Sequence, residues 1–175
     1  MIREFCNKYL EIYSNYTDTE KLFIWIGIFA IISSVLFPII HTVFISNKIK
    51  KLADNSLEVT PKQFFVIRNA SNGGRGNRHI STSRDFQGVY ILYNHTKNMY
   101  YVGQSVKVLR RVNAHFTGHG NGDVYADFKY GDDFTIKMIK LETSGFKTLN
   151  ELERNTIKTY GAFSKGYNKT RGNIG

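Results

Sequence analysis

The sequence predicts an α+β protein: a small three-stranded antiparallel sheet flanked by helices, preceded by one N-terminal transmembrane helix. Three observations predict it. No charged residue occurs between Lys21 and Lys48. The composition turns basic and then glycine-rich just after that run. From residue 88 onward, short segments alternating every second residue are followed by segments with helical periodicity.

The apolar run Leu22 to Ile45 is long enough to cross the roughly 30 Å hydrocarbon core of a bilayer as a helix. Thr17-Asp18-Thr19-Glu20 reads as a capping box at its start, and Trp25 stands near one interface. Pro38 predicts a kink, which membrane helices tolerate. A cleaved signal peptide would need a positive leader and an apolar core of only about 7 to 15 residues, and neither condition holds. Lys48, Lys50 and Lys51 follow the span, so the positive-inside rule places the C-terminal part in the cytoplasm and the amino terminus outside a plasma membrane. Before the span, Ile2, Phe5, Tyr9, Ile12, Tyr13 and Tyr16 fall at helical spacing and predict a short interfacial helix.

The expected organisation is a short outer segment over 1–21, a bilayer-spanning helix over 22–47, a basic and partly flexible linker over 48–85, and a catalytic domain over 86–175. The linker holds one apolar patch, Phe64 to Ile67, and the stretch Ser71-Asn72-Gly73-Gly74-Arg75-Gly76-Asn77-Arg78-His79. Of the net charge of +10, residues 48–175 carry twenty-one basic and ten acidic side chains, against three and four before them. That part should attract a polyanion, nucleic acid or an anionic lipid surface. The single cysteine, Cys6, excludes an intrachain disulfide and a cysteine-rich zinc site.

Within the domain, Val89, Ile91 and Tyr93 alternate with Tyr90 and Leu92, and Asn94 to Asn98 supply turn residues before Met99 to Val102, giving two antiparallel strands. Ser105 is the expected cap of a helix running to Phe116. After a loop over 118–123 comes a short helix from Val124 to Tyr130, ended by Gly131, and then a third strand through Phe134, Ile136 and Met138. Thr148-Leu149-Asn150-Glu151 is a second capping box, opening a helix that ends before Gly161.

On that last helix Leu149, Glu153, Ile157 and Tyr160 form one stripe, so Glu153 points where core residues point. A carboxylate there must be paired or bound to a metal. A hard oxygen ligand suits Mg²⁺, and a salt bridge to Arg111 or Lys158 is the alternative; spacing leaves both open. Arg111 and His115, at i and i+4, share one helix face. Such a pair can hold a phosphate and relay a proton, and equally fits an exposed polar face.

Gly88-Val89-Tyr90, then Tyr101-Val102-Gly103, Arg111 ten residues on, His115, Glu153 on a later helix and Asn168 in Gly166-Tyr167-Asn168 together resemble the signature of the GIY-YIG endonuclease family. Valine replaces isoleucine in both motifs. The resemblance implies hydrolysis of a phosphodiester with one divalent metal, Mg²⁺ or Mn²⁺, held by Glu153 and acting as a Lewis acid. It implies Tyr90 or Tyr101 as general base, Arg111 as phosphate clamp with Arg110 beside it, His115 in proton transfer or holding the attacking water, and Asn168 completing the catalytic set. Gly103 and Gln104 are expected to let substrate approach the backbone closely. DNA is the implied substrate, with RNA open, and location at a membrane suggests action on DNA entering the cell, from phage or a mobile element. Two readings rival it: a non-catalytic DNA tether, against which intact Glu153 and Arg111 argue, and a small membrane toxin or channel former, which leaves the nuclease set unexplained but is kept open by Pro38 and His41 within the span.

Overall fold

The computed structural model describes residues 13–70 and 85–173. The helical pattern of Ile2, Phe5, Tyr9 and Ile12, and the glycine-rich stretch 71–79, lie outside the described residues. The chain divides into two compact units between Phe44 and Ile45.

In the first unit, α1 (Asp18–Asp54) begins at the expected capping box. Glu20 accepts the backbone N–H of Thr17 at 2.7 Å, and Thr17 Oγ1 accepts that of Glu20 at 3.4 Å. Trp25 Nε1 donates to the Tyr13 hydroxyl at 2.8 Å, joining the start of the span to the turn before it. The helix is uninterrupted across Pro38. Leu22, Phe29, Ile31, Phe37, Ile40 and Phe44 are all exposed, so the helix is apolar all round. It is long and apolar enough to cross a membrane.

The second unit is built on the sheet β2-β1-β3, with β1 (Gly88–Asn94) paired antiparallel to both β2 (Met99–Ser105) and β3 (Phe134–Lys140). As the central strand, β1 is covered on both faces, and its alternation sorts two cores. Tyr90 and Leu92 pack with Phe64, Val108, Val112, Phe116 and Phe134. Val89 and Ile91 pack with Ile49, Ala53, Ile139, Leu152 and Ile157. The first face is covered by α2 (Pro61–Ala70), α3 (Val108–Phe116) and α4 (Gly122–Lys129), the second by α5 (Leu149–Tyr160) and the last turns of α1.

Residues 48–70 therefore differ from the expected linker. The helix runs past residue 47 because Ile49 and Ala53, at i and i+4 among the lysines, are fully buried in the second core. Lys48 donates to the Gly145 carbonyl at 3.0 Å and lies 4.3 Å from the Phe146 ring centroid. Val59 exchanges two backbone hydrogen bonds with Ile136, closing the free edge of β3. Then α2 opens on a capping box of its own: Thr60 Oγ1 accepts from Gln63 N at 3.3 Å, and Gln63 Oε1 accepts from Thr60 N at 2.8 Å.

Two helix starts also differ. Ser105 does not cap α3; its hydroxyl accepts from Lys107 N in a local turn. The orphan N–H groups of Leu109 and Arg110 go instead to the two carboxylate oxygens of Asp85, at 2.7 and 3.0 Å. Helix α4 begins at Gly122, inside the expected loop, because Asn121 accepts from Val124 N at 3.0 Å. The capping box at Thr148 is present on its Thr148 side, where Oγ1 accepts from Glu151 N, and α5 ends at Gly161 with φ +62°.

Candidate active site

The site gathers around β2. Antiparallel register sets Gly103 opposite Tyr90 and Tyr101 opposite Leu92, so Tyr90, Gly103 and Tyr101 share the face that α3 covers. Gln104, one residue along, leaves the strand on the α5 side. The Tyr90 hydroxyl occupies the place where a Gly103 side chain would begin: an added Cβ would stand 2.2 Å from it. Gly103 thus makes room for Tyr90 rather than for substrate.

His115 is completely buried on α3, and its Nε2 lies 2.9 Å from Tyr90 Oη. The other ring nitrogen, Nδ1, accepts the backbone N–H of Asn121 at 2.9 Å. Burial, with the charge of Arg111 second, holds the imidazole down to a pKa of about 4, so it is neutral near pH 7. A neutral ring whose Nδ1 accepts must carry its proton on Nε2, so His115 donates to Tyr90. Gly120 permits this, since a Cβ there would meet His115 Nδ1 at 2.6 Å. Both nitrogens are committed inside the protein, and His115 acts on Tyr90, with no nitrogen left for an attacking water.

Burial pushes the Tyr90 phenol far above its ordinary range, Tyr101 pushes it further, and a hydrogen bond and charge from Arg111 oppose both. Tyr101 is also raised, first by burial, with Arg111 lowering and Glu153 raising it. The rings of Tyr101 and His115 have centroids 4.8 Å apart, and those of Tyr90 and Tyr101 6.2 Å. Arg111 is exposed on the rim and lines a groove with Arg110, Lys107 and His119, a basic face suited to a polyanion.

Glu153 is buried on α5, 8 % exposed. Its Oε2 accepts from Gln104 Nε2 at 3.0 Å and from Asn173 N at 3.3 Å; among the described residues it has no ion pair. The salt bridge to Arg111 or Lys158 that spacing allowed is thus not formed. Burial raises its carboxyl above the usual range, with the Asn173 and Gln104 donors pulling it back. A carboxylate held in this state, with both donors on one oxygen, fits a divalent cation at the other. Gln104 also donates to Asn150 Oδ1 at 2.7 Å, so both N–H bonds of its amide are used inside the protein, one of them orienting Glu153.

Asn168 is placed unlike the other five motif residues. Its Oδ1 accepts from Val102 N at 2.8 Å and its Nδ2 donates to Val102 O at 2.7 Å, so its amide is fully engaged with β2. With Tyr167 N donating to Tyr100 O, it closes the outer edge of the strand that carries Tyr101 and Gly103. Asn168 is a positioning residue. Tyr167 is itself fixed by Asn94 Nδ2, at 2.6 Å, and by Asp127 Oδ2, also at 2.6 Å.

Five supporting residues escaped the sequence reading: Asp85, Asn94, Gly120, Asn121 and Asn173. Asn121 had a local signal, since an Asn two residues before an apolar-periodic segment is a cap candidate. The others act across the fold and had none.

Residues 86–168 match the family model described as the GIY-YIG catalytic domain. No match was found among curated proteins or among solved structures. The match spans every motif residue from Tyr90 to Asn168, including the two tyrosines, which are diagonal neighbours on one face of the β1–β2 pair. Residues 86–168 of this protein are therefore a GIY-YIG catalytic domain, a nuclease domain.

Proposed function

We propose that this protein is a membrane-anchored, divalent-metal-dependent endonuclease that hydrolyses DNA, with Tyr90 as the general base. The hydrogen bond from His115 Nε2 to Tyr90 Oη carries this reading. To act as the base Tyr90 must first give up its own proton, and because burial disfavours the phenolate that step needs support for the oxygen as an anion; the phenolate then takes the proton from water and returns to the phenol. At Tyr90 that support comes from His115 Nε2–H and from Arg111; Tyr101 has Arg111 and the Tyr90 hydroxyl but no histidine bond.

Glu153 would hold the cation, Mg²⁺ or Mn²⁺, through Oε1, with Gln104 and Asn173 fixing the other oxygen. When bound, such an ion acts as a Lewis acid on the scissile phosphate and lowers the pKa of phenols and water nearby. No group of three or more His, Cys, Asp or Glu that could hold a metal occurs among the described residues. One carboxylate completed by waters and a substrate phosphate suits Mg²⁺. Arg111 clamps the phosphate and stabilises charge on it as water attacks in line. Tyr101, half-buried beside His115, closes the other side of the pocket.

Place restricts the target in this reading. Residues 22–47 would span the bilayer with the catalytic domain cytoplasmic, meeting DNA as it enters the cell. The first experiment uses the full chain in detergent with supercoiled plasmid and Mg²⁺ or Mn²⁺. Glu153→Gln should cut roughly a hundredfold more slowly or worse. Equal rates would remove Glu153 from the mechanism. The second challenges cells expressing the chain, or the chain lacking residues 1–44, with phage; protection unchanged by the deletion would remove the role of the anchor.

A further inference from the structure

Arg154, next to Glu153 in sequence, and Asn155, Ile157 and Lys158 of α5 form one wall of a cleft of ≈ 510 Å³ that the nuclease chemistry does not use. Its floor is apolar, with Ile157 and the 41 % exposed ring of Phe163; its rim is basic, with Arg154, Lys158 and Arg171. No carboxylate among the described residues lines it. Among the described residues neither Arg154 nor Arg171 has a hydrogen-bond or ion-pair partner, and the Arg171 guanidinium stands 5.3 Å from the Phe163 ring centroid. Gly172 (φ +98°) lies flush on α5, where a Cβ would come within 2.8 Å of Arg154 Cγ, and the next residue, Asn173, donates to Glu153. The same three-residue tail thus contacts the cleft and the carboxylate.

We infer that this cleft binds one unpaired nucleotide of a DNA strand next to the phosphate held at Glu153, its base on Phe163 and its phosphates on Arg154 and Arg171. An apolar ring rimmed by cations matches the π-face and the charge of a nucleotide together. A closed duplex hides its base faces in the stack, so Phe163 can reach only a base that is single-stranded or unstacked. The preferred substrate is accordingly single-stranded or frayed DNA. This rests on the nuclease reading of the same domain and adds the form of its substrate.

The test measures binding separately from cleavage. Full-length protein in detergent, carrying Glu153→Gln and Mg²⁺, is titrated into a fluorescent single-stranded oligonucleotide and into a closed hairpin duplex of the same sequence. Adding Phe163→Ala should weaken single-strand binding about tenfold and leave the duplex unchanged. Arg154→Gln with Arg171→Gln should reduce the slope of log K against log salt by about one unit for the single strand. Equal single-strand affinity with and without Phe163, or equal losses for strand and duplex, overturns the proposal. A thermal melt controls for folding, which the exposed ring should leave intact. A protein that cuts plasmid but is indifferent to Phe163 sinks the cleft alone. One that never cuts, yet needs Phe163 to hold single strands, sinks the nuclease mechanism and keeps the cleft.

Discussion

Gly103 and Gly120 each leave a space that Tyr90 or His115 fills, so in the proposed mechanism a single methyl at either position should be felt as chemistry. Gly103→Ala would put its Cβ 2.2 Å from the Tyr90 hydroxyl, and Gly120→Ala 2.6 Å from His115 Nδ1. Both should lower plasmid cleavage by roughly two orders of magnitude, while overpacking costs about 1 to 3 kcal/mol of stability. The Gly120 variant has a further signature: ¹⁵N shifts of the imidazole should show loss of the single Nε2–H tautomer. An unchanged spectrum would mean that the Asn121 N–H does not set it. His115 also gives a pH dependence. Its pKa falls from 6.5 to about 4 on folding, so the unfolded chain takes up the extra proton. Stability from this group is complete above about pH 6.5 and is lost as pH falls toward 4, by about 3 kcal/mol. Denaturant melts across that range should show the slope, and His115→Gln should abolish it. The motif residues were legible in the sequence by type and spacing. Their division of labour was not, because donor and acceptor roles depend on Asn121, Gln104 and Asn173, which come from other parts of the chain.

At the scale of elements, the strands and the start of α5 could be read from alternation and capping, because both signals are local. The start of α3 could not. Its N-terminal N–H groups are satisfied by Asp85, some twenty-four residues earlier, and the nearby Ser105 that looked like a cap is occupied in its own turn. Asp85→Ala should therefore destabilise the domain by about 1 kcal/mol and loosen the helix that carries Arg111 and His115, whereas Ser105→Ala should cost a few tenths. Chemical denaturation of the two variants, with cleavage rates alongside, checks the contrast. Helix α2 was legible but unread: Thr60-Pro61-Lys62-Gln63 is a capping box with proline at the first helical position.

For the whole molecule, the notable fact is where the catalytic unit begins. Ile49 and Ala53 are fully buried against Val89, Ile91 and Leu152, so the end of the long helix is part of the nuclease core. Removing residues 1–44 should leave a domain with a cooperative melt. Removing residues 1–54 should strip two core side chains from the second cluster and leave an unfolded or aggregating product. Equal melts for the two truncations would show that the helix end is dispensable. A composition-based boundary at residue 47 misses this because two apolar residues, Ile49 and Ala53, among lysines carry little weight in any window average.

By itself, the sequence determined the apolar run, the α+β class and the order of the three strands along the chain, since periodicity is a property of neighbouring residues; Tyr90, Tyr101, Arg111, His115 and Glu153 became a set only through their resemblance to the family signature. Tertiary structure alone decided that β1 lies in the middle of the sheet, that His115 donates rather than accepts, that Asn168 binds β2, and that Glu153 turns one oxygen toward Gln104 and Asn173. Most of those depend on hydrogen bonds or contacts between residues far apart in sequence, and the Asn121 N–H, though only six residues from His115, reaches it through a loop whose path the chain pattern does not record.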